Sequence, residues 1–210
     1  MKEPTGTGHA ALAVEADTRH DGRHRGDTRA RIQQVALELF AEHGYDKTSL
    51  REIAERLDVT KAALYYHFKS KEDIVESLVQ DAYTSIDDLI AWGREQPPTA
   101  DARAGILRRY LSLIADFNSV FRMLHQNQAA VSSLDSAKKR GVDYRERALS
   151  LADVLAGPAG TTAARARAMM AIGGLNIAWT FYETDADREE LFAALLAGAL
   201  ELTELGQPPS

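Results

Sequence analysis

The stretch that decides the fold is residues 48–71, TSLREIAERLDVTKAALYYHFKSK. Its first half has four apolar residues at i, i+3, i+4 and i+7: Leu50, Ile53, Ala54 and Leu57. This spacing predicts one buried stripe on a short helix. Ser49 precedes the stripe and Glu52 stands three residues later, which is the spacing of a capping box at a helix start. The segment therefore predicts a helix that begins at about Leu50.

The second half of the stretch predicts another short helix. Asp58-Val59 interrupts the apolar pattern, and Thr60 is a suitable N-cap for a helix that begins at about Lys61. Leu64 and Phe68 stand at i and i+4 and are expected to face inward. Four polar-tipped residues are left to face outward: Lys61, Tyr65, Tyr66 and His67. Two short helices joined by a tight turn, the second carrying cations and aromatics but no acid, are typical of a reader of the DNA major groove.

The same residues resemble the helix-turn-helix of the TetR family of transcriptional regulators. The resemblance is carried by the run Leu64 to Phe68, by Lys69-Ser70-Lys71 and by the acidic pair Glu72-Asp73. It extends upstream through Ala36, Leu39, Phe40, Gly44 and Tyr45 to Thr48, and it covers residues 28–75 closely. It implies an all-α protein with an N-terminal three-helix DNA-binding domain and a C-terminal helical domain for ligand binding and dimerisation.

The resemblance also implies roles for single residues. It places Lys61, Ala63 and Tyr65 toward bases, and Tyr66, His67 and Lys71 toward phosphates. Physical chemistry agrees in outline, because a lysine can donate to guanine and a tyrosine can contact a thymine methyl or a phosphate.

Further candidates stand at helix starts. Arg51 could reach a guanine or a phosphate, and Thr48, Ser49 and Thr60 are helix-start residues where a phosphate is also welcome. The structural alternatives are that Thr48 and Ser49 are only caps, that Arg51 is only solvated, and that His67 and one of the tyrosines only pack.

The charge of the chain is unevenly distributed. The 210 residues carry a formal charge of −6. Residues 1–27 carry 4 cations and 5 acids, residues 28–74 carry 8 and 8, and residues 75–210 carry 13 and 18. Within residues 60–71, three lysines stand without a carboxylate. The local field therefore favours phosphate although the whole chain is acidic.

Composition excludes several classes of protein. The chain has no cysteine, so disulfides and thiolate sites are excluded. No stretch approaches the roughly 20 apolar residues that span a bilayer, and the N-terminus lacks the apolar core of a signal peptide. We expect a cytoplasmic protein without a membrane partner. No catalytic constellation, P-loop or dinucleotide fingerprint is present, so we expect no enzyme, no cofactor and no metal site.

Periodicity predicts about nine helices and no strands, in three segments. Residues 1–26 are expected to be a disordered arm whose arginines either enter a minor groove or lie in solvent. Residues 27–73 are expected to form the DNA-binding domain, and residues 74–206 the ligand-binding and dimerisation domain. The fourth helix, capped by Ser70, would join the two halves.

Polar residues among apolar ones mark a candidate ligand pocket in the C-terminal segment. Met169, Asn176 and Trp179 share one helical stripe, and a buried amide needs partners or a ligand. The resemblance implies that the middle helices enclose a small molecule. The candidate lining is Tyr110, Phe121, His125, Gln128, Met169, Asn176 and Trp179. The alternative is a hydrogen-bonded network that satisfies itself.

The last two predicted helices, 163–182 and 186–205, are apolar on most of their circumference. Gly173-Gly174 permits a close backbone approach there. The sequence therefore predicts a homodimer, whose two-fold symmetry implies a pseudo-palindromic operator. The resulting interpretation is a TetR-like repressor released from double-stranded DNA by an unidentified small-molecule inducer. The alternatives are a TetR-like chromosome-binding factor without an inducer and, less favoured, an α-helical enzyme.

Overall fold

Helices account for the regular structure of this protein. A computed structural model describes residues 10–127, 137–158, 160–177 and 185–204, and within these ranges there are nine α-helices and no strand. They are α1 (Ala10–His43), α2 (Leu50–Arg56), α3 (Lys61–His67), α4 (Lys71–Arg94), α5 (Ala100–Asp116), α6 (Asn118–Gln126), α7 (Ala137–Ala156), α8 (Thr162–Ile177) and α9 (Asp185–Glu204). The predicted all-α class is confirmed.

The first helix is longer than predicted. Residues 10–26 belong to α1, whereas the sequence predicts a disordered arm up to residue 26. The segment has no proline, and each residue added to an existing helix gains one hydrogen bond without a new nucleation cost. Residues 1–9 lie outside the described residues. Contact of this segment with DNA stays a prediction.

The chain divides into two compact units, residues 1–74 and 75–210. In the first unit, α2 packs against α1 and α3. The predicted stripes supply the core, since Ile53 and Leu64 are 0% exposed. The Phe40 and Tyr45 rings lie 5.2 Å apart between centroids. Burial of this size makes each large core side chain worth roughly 2–5 kcal/mol against alanine.

The turn between α2 and α3 is a Schellman motif. Asp58 has a φ of 55°, in the left-handed region. The Val59 N–H donates to the Ala54 carbonyl at 3.0 Å, and the Asp58 N–H donates to the Glu55 carbonyl at 3.2 Å. These bonds satisfy carbonyls that the end of α2 leaves open. The predicted break at Asp58-Val59 is confirmed.

In the second unit, α9 packs against α8 and α5, and α7 packs against α8. Apolar residues of α4 are buried, including Leu78, Ala82 and Ile86. Gly93 lets α4 approach α7 closely, because a Cβ atom there would lie 2.9 Å from Val154 Cγ1.

The ends of two helices bear on the sites below. Helix α7 begins at Ala137, and α6 ends at Gln126. Tyr144 of α7 is 38% exposed, and its hydroxyl accepts a hydrogen bond from Asn176 of α8. Helix α7 is followed by Gly157, which has a φ of 76° and whose N–H donates to the Asp153 carbonyl. Within the described ranges, no helix combines the length and apolarity needed to cross a membrane.

Candidate nucleic-acid interface and ligand pocket

The third helix is held by two buried residues and capped as predicted. Thr60 Oγ1 accepts from the Ala63 N–H at 3.1 Å. Leu64 is 0% exposed and Phe68 is 3% exposed, so one face of α3 is fixed to the first unit. Lys61 and Ala63 are exposed on the remaining surface. The helix therefore presents its N-terminal turn to solvent, which is the end that reads base edges in helix-turn-helix proteins.

Both tyrosines of α3 are exposed. Tyr65 is 42% exposed and Tyr66 is 65% exposed, so neither is an ordinary core residue. The Lys61 ammonium lies 5.3 Å from the centroid of the Tyr65 ring. Tyr66 and His67 meet edge to face, with ring centroids 5.3 Å apart. The outward face predicted from the sequence is thus present. It carries two basic side chains, Lys61 and His67, and the phenols of Tyr65 and Tyr66.

The start of α2 has the predicted capping box. The Ser49 hydroxyl accepts from the Glu52 N–H at 3.2 Å, and the Ser49 N–H donates to Glu52 Oε2 at 3.3 Å. Arg51 lies in the first turn and donates through Nε to Glu55 Oε1 at 2.7 Å. That hydrogen bond and the charge of Glu55 raise the pKa of Arg51. The Arg51 side chain is 80% exposed, so solvent weakens the pair and leaves Arg51 able to exchange partners.

Thr48 does not lie on this surface. It is 2% exposed, and its hydroxyl lies 2.9 Å from the Gly44 carbonyl and 3.2 Å from the Leu39 carbonyl. The side chain therefore secures the end of α1. Its predicted contact with DNA does not fit this burial, and the cap at the start of α2 is Ser49.

Lys71 is also engaged within the first unit. Its ammonium donates to the Tyr45 carbonyl at 2.7 Å and to the Asp46 carbonyl at 3.4 Å, and it lies 4.4 Å from the centroid of the Tyr45 ring. A lysine held in this way stabilises the segment after α1. Its predicted phosphate contact would require it to leave these partners. Lys69, which the sequence-based site omitted, is exposed two residues earlier.

Acidic residues contact basic side chains at the ends of α1 and α2. Arg56 Nη2 lies 2.8 Å from Glu42 Oε2, and His43 Nδ1 lies 2.9 Å from Glu52 Oε1. The hydrogen bond from Arg56 lowers the pKa of Glu42. In the part of the chain that the structure describes, Lys61 and Lys69 form no ion pair with a carboxylate. Lys61 and Lys69 therefore place unpaired positive charge on and after α3.

Three helices of the second unit meet in a chain of hydrogen bonds. The Tyr110 hydroxyl of α5 donates to Asn176 Oδ1 of α8 at 2.8 Å, and Asn176 Nδ2 donates to the Tyr144 hydroxyl of α7 at 2.6 Å. Tyr110 is 2% exposed, and burial raises the pKa of both tyrosines. The Asn176 amide therefore has the hydrogen-bond partners that its partial burial requires. These partners are two tyrosines of the protein and not a ligand.

An open pocket of about 230 Å³ borders this network. Met169 and Asn176 line it together with Tyr144 and Leu149, as the shared stripe on α8 predicts. Phe121 and His125 lie on α6 and are not among its lining residues. Gln128 and Trp179 lie outside the described residues. The structure thus brings together Tyr110, Met169 and Asn176 of the predicted ligand site.

The fold and the exposed α3 define a helix-turn-helix protein with a second, larger helical unit. The family model described as bacterial regulatory proteins, tetR family, matches residues 32–78. The biofilm operon icaADBC negative transcriptional regulator IcaR of Staphylococcus aureus (strain Newman) is 44% identical over 60 residues. That alignment covers 29% of this chain and 32% of IcaR, so it spans about a third of that relative. Residues 32–78 of this chain are thus similar to the TetR family of regulators.

Solved structures agree on the fold of both units. A transcriptional regulator from Aquifex aeolicus VF5 has a TM-score of 0.66 at 22% identity, over 81% of this chain and 96% of that chain. FadR from Bacillus subtilis, solved in complex with stearoyl-CoA, has a TM-score of 0.62 at 22% identity, over 85% of this chain and 99% of that chain. At these identities the similarity shows the fold alone.

The described residues hold no group of three or more histidine, aspartate and glutamate side chains that could bind a metal ion.

Proposed function

We propose that this protein is a transcriptional repressor that binds double-stranded DNA through α3. The observation that carries the proposal is the exposed face of α3, on which Lys61, Tyr65 and Tyr66 point outward while Leu64 and Phe68 fix the helix. An α-helix fits the major groove, and its first turn reaches base edges. IcaR, which is similar in this segment, is described as a negative regulator.

The roles of the side chains follow the family resemblance, and residues that are buried or already engaged are left out. Lys61, Ala63 and Tyr65 would contact bases, and Tyr66 and His67 would contact phosphates. The start of α2, with Ser49 and Arg51, and the Thr60 cap of α3 would anchor the backbone of the duplex. Thr48 is left out because it is buried, and Lys69 replaces Lys71 as the proposed phosphate contact after α3.

We infer that the protein acts as a homodimer joined through α8 and α9. A groove of about 370 Å³ runs between these helices, and its lining is mostly apolar, including Met170, Leu195 and Leu202. Met170 is 54% exposed. A Cβ atom added at Gly174 or Gly198 would meet nothing within 4 Å, so a second backbone could approach closely there. Two copies related by a two-fold axis would read a pseudo-palindromic operator.

A small-molecule inducer would bind at the pocket beside Asn176 and favour a conformation that releases DNA. FadR, which has a similar fold and was solved in complex with stearoyl-CoA, supports the expectation of a small-molecule ligand. The fourth helix begins in the first unit and continues through the second, so it is the proposed route of coupling. Because the operator is chromosomal, we place the protein in the cytoplasm.

The test of DNA binding is selection of bound sequences from random duplex DNA by the full-length protein. We expect enrichment of a pseudo-palindrome whose half-sites lie about one helical turn apart. Lys61→Ala should relax base preference at one position of each half-site and cost about 1–3 kcal/mol on the preferred sequence. Arg108→Ala removes an exposed cation of α5 and is the matched control. Failure to enrich any sequence would refute the proposal.

A second candidate function, a DNA-binding factor without an inducer, is favoured by one observation. Both polar atoms of the Asn176 amide already have protein partners. Asn176→Leu distinguishes the two functions. If it binds the operator but no longer responds to an inducer found by screening, the pocket is a ligand site. If it loses about 1–3 kcal/mol of stability and no compound releases the wild type, the network is structural and the second function stands.

A further inference from the structure

A second pocket of the larger unit lies where α4 ends, α5 begins and α7 ends. Its volume is about 260 Å³. Pro97 and Pro98 of the connection between α4 and α5 form one wall, and Gly157 and Pro158 after α7 form another. None of its lining residues lines the pocket beside Asn176. The two pockets are therefore separate sites.

A buried guanidinium lines this second pocket. Arg103, in the first turn of α5, is 9% exposed. Its Nη1 donates to the Pro98 carbonyl at 3.3 Å, but its Nε is buried and has no hydrogen-bond partner. A buried charge left without a partner is costly, because it has lost its water without an equivalent replacement.

The acidic residue that lines this pocket does not neutralise Arg103. Asp153 also lines the pocket, but its Oδ1 lies 2.7 Å from Arg165 Nε. Arg94 adds an exposed second cation to the lining. The cations of the lining thus outnumber its acids, and the acid that is present already has a partner.

One edge of the Arg103 guanidinium has the geometry that binds a carboxylate. The Nε–H and the Nη2–H point the same way along this edge, within the guanidinium plane, and such a pair donates two parallel hydrogen bonds to a carboxylate. The buried side chains of Ile106 and Leu155, 2% and 1% exposed, form an apolar floor of the same pocket. A short apolar body attached to the carboxylate would lie against that floor.

We propose that this pocket binds an organic anion, with its carboxylate on Arg103 and an apolar body against Ile106. The site goes beyond the repressor function and does not depend on it. Its failure would leave the DNA-binding surface and the pocket beside Asn176 unaffected.

The experiment uses full-length protein and four probes: sodium benzoate, sodium acetate, benzamide and inorganic phosphate. Binding is measured by isothermal titration calorimetry and by the shift in thermal midpoint, with sodium chloride matching the ionic strength. We expect benzoate to bind, and benzamide, which has the same shape without charge, to bind at least tenfold more weakly. Acetate should also bind more weakly than benzoate, because it lacks the apolar body. Phosphate binding tighter than benzoate would overturn the assignment of a carboxylate with an apolar body.

Two variants locate the site. Arg103→Met should weaken benzoate binding at least tenfold while Asn176→Leu leaves it unchanged. Ala102→Leu narrows the pocket but keeps the guanidinium, and it should weaken benzoate binding with an unchanged circular dichroism spectrum, even if Arg103→Met does not fold. The proposal is overturned if none of the three anions binds, or if a folded Arg103→Met or Ala102→Leu variant binds benzoate as the wild type does.

Discussion

At the scale of single residues, Lys69 and Lys71 differ in how available their ammonium groups are to a DNA phosphate. Lys69 and Lys71 flank the same cap, yet Lys71 is drawn to the carbonyls of Tyr45 and Asp46 while Lys69 is exposed. A charged hydrogen bond to a carbonyl is worth about 1.5–3 kcal/mol when it is shielded from water, and less at a partly exposed site such as this one. We therefore expect Lys71 to contribute more to the stability of the fold than to the binding of DNA.

We expect Lys69→Ala and Lys71→Ala to separate these roles. Lys69→Ala should leave the free energy of unfolding unchanged and lower the slope of log affinity against log salt by about one, as loss of a phosphate contact requires. Lys71→Ala should lower the free energy of unfolding by about 1–2 kcal/mol. Urea unfolding and DNA titrations at several salt concentrations measure both quantities. A stable Lys71→Ala variant with the reduced slope would restore Lys71 as the phosphate contact.

A left-handed residue gives a second prediction at this scale. Asp58 has a φ of 55°, which glycine adopts without penalty and a β-branched residue adopts poorly. We expect Asp58→Gly to be neutral or to stabilise the protein by up to about 1 kcal/mol, and Asp58→Val to destabilise it by about 1–2 kcal/mol. Thermal unfolding followed by circular dichroism tests both. Equal midpoints for the two variants would show that the turn after α2 is not limiting.

At the scale of helices, the sequence predicted the features that depend on residues close along the chain. It did not predict the features that depend on residues far along the chain. Ser49, Thr60 and Ser70 cap helices through bonds that reach only three residues along the chain, so a local pattern contains the information. Thr48 and Lys71 depend on burial by segments 9 and 26 residues away. A sequence pattern cannot rank such contacts against solvent or DNA. The same limit applies to Arg103, whose burial needs α4, α5 and α7 together.

The contact of α4 with α7 predicts how stability changes with pH. The Tyr83 hydroxyl of α4 donates to the Arg140 carbonyl of α7 at 2.8 Å, and burial raises the pKa of Tyr83 to about 12. An unfolded tyrosine ionises near pH 10. Between pH 10 and 12 the unfolded state therefore loses a proton that the folded state keeps. The free energy of unfolding should be constant below pH 10 for this group and fall above it, by at most about 1.4 kcal/mol per pH unit.

Urea unfolding between pH 8 and 11 tests this dependence. Tyr83→Phe should be less stable than the wild type at pH 8, because the Arg140 carbonyl loses its donor, and should lose less stability above pH 10. Tyr110, whose pKa burial also raises, would keep part of the alkaline decline in that variant. Tyr66→Phe, at an exposed tyrosine, is the control. Parallel pH profiles for Tyr83→Phe and the wild type would contradict the assignment.

At the scale of the whole molecule, the proposed dimer interface on α8 and α9 can be tested. Leu195 lines the apolar groove between them, and a charge there would have to be buried against the second copy. We expect Leu195→Glu to be monomeric at micromolar concentration in sedimentation and to bind an operator at least tenfold more weakly. Val142→Glu, at a 54% exposed residue of α7, is the matched control and should stay dimeric. A dimeric Leu195→Glu would move the interface elsewhere.

The paired charges beside α2 bear on how such a protein would search a chromosome. Residues 28–74 carry 8 cations and 8 acids, and Arg51 and Arg56 already have carboxylate partners. Attraction to arbitrary duplex depends on how many condensed ions a protein can displace, and Arg51 and Arg56 can displace them only by breaking their own pairs. We therefore expect brief stays on random sequence and short sliding. The protein would then reach its operator mostly by diffusion through solution. An operator that has lost its protein would be bound again by molecules that arrive from solution.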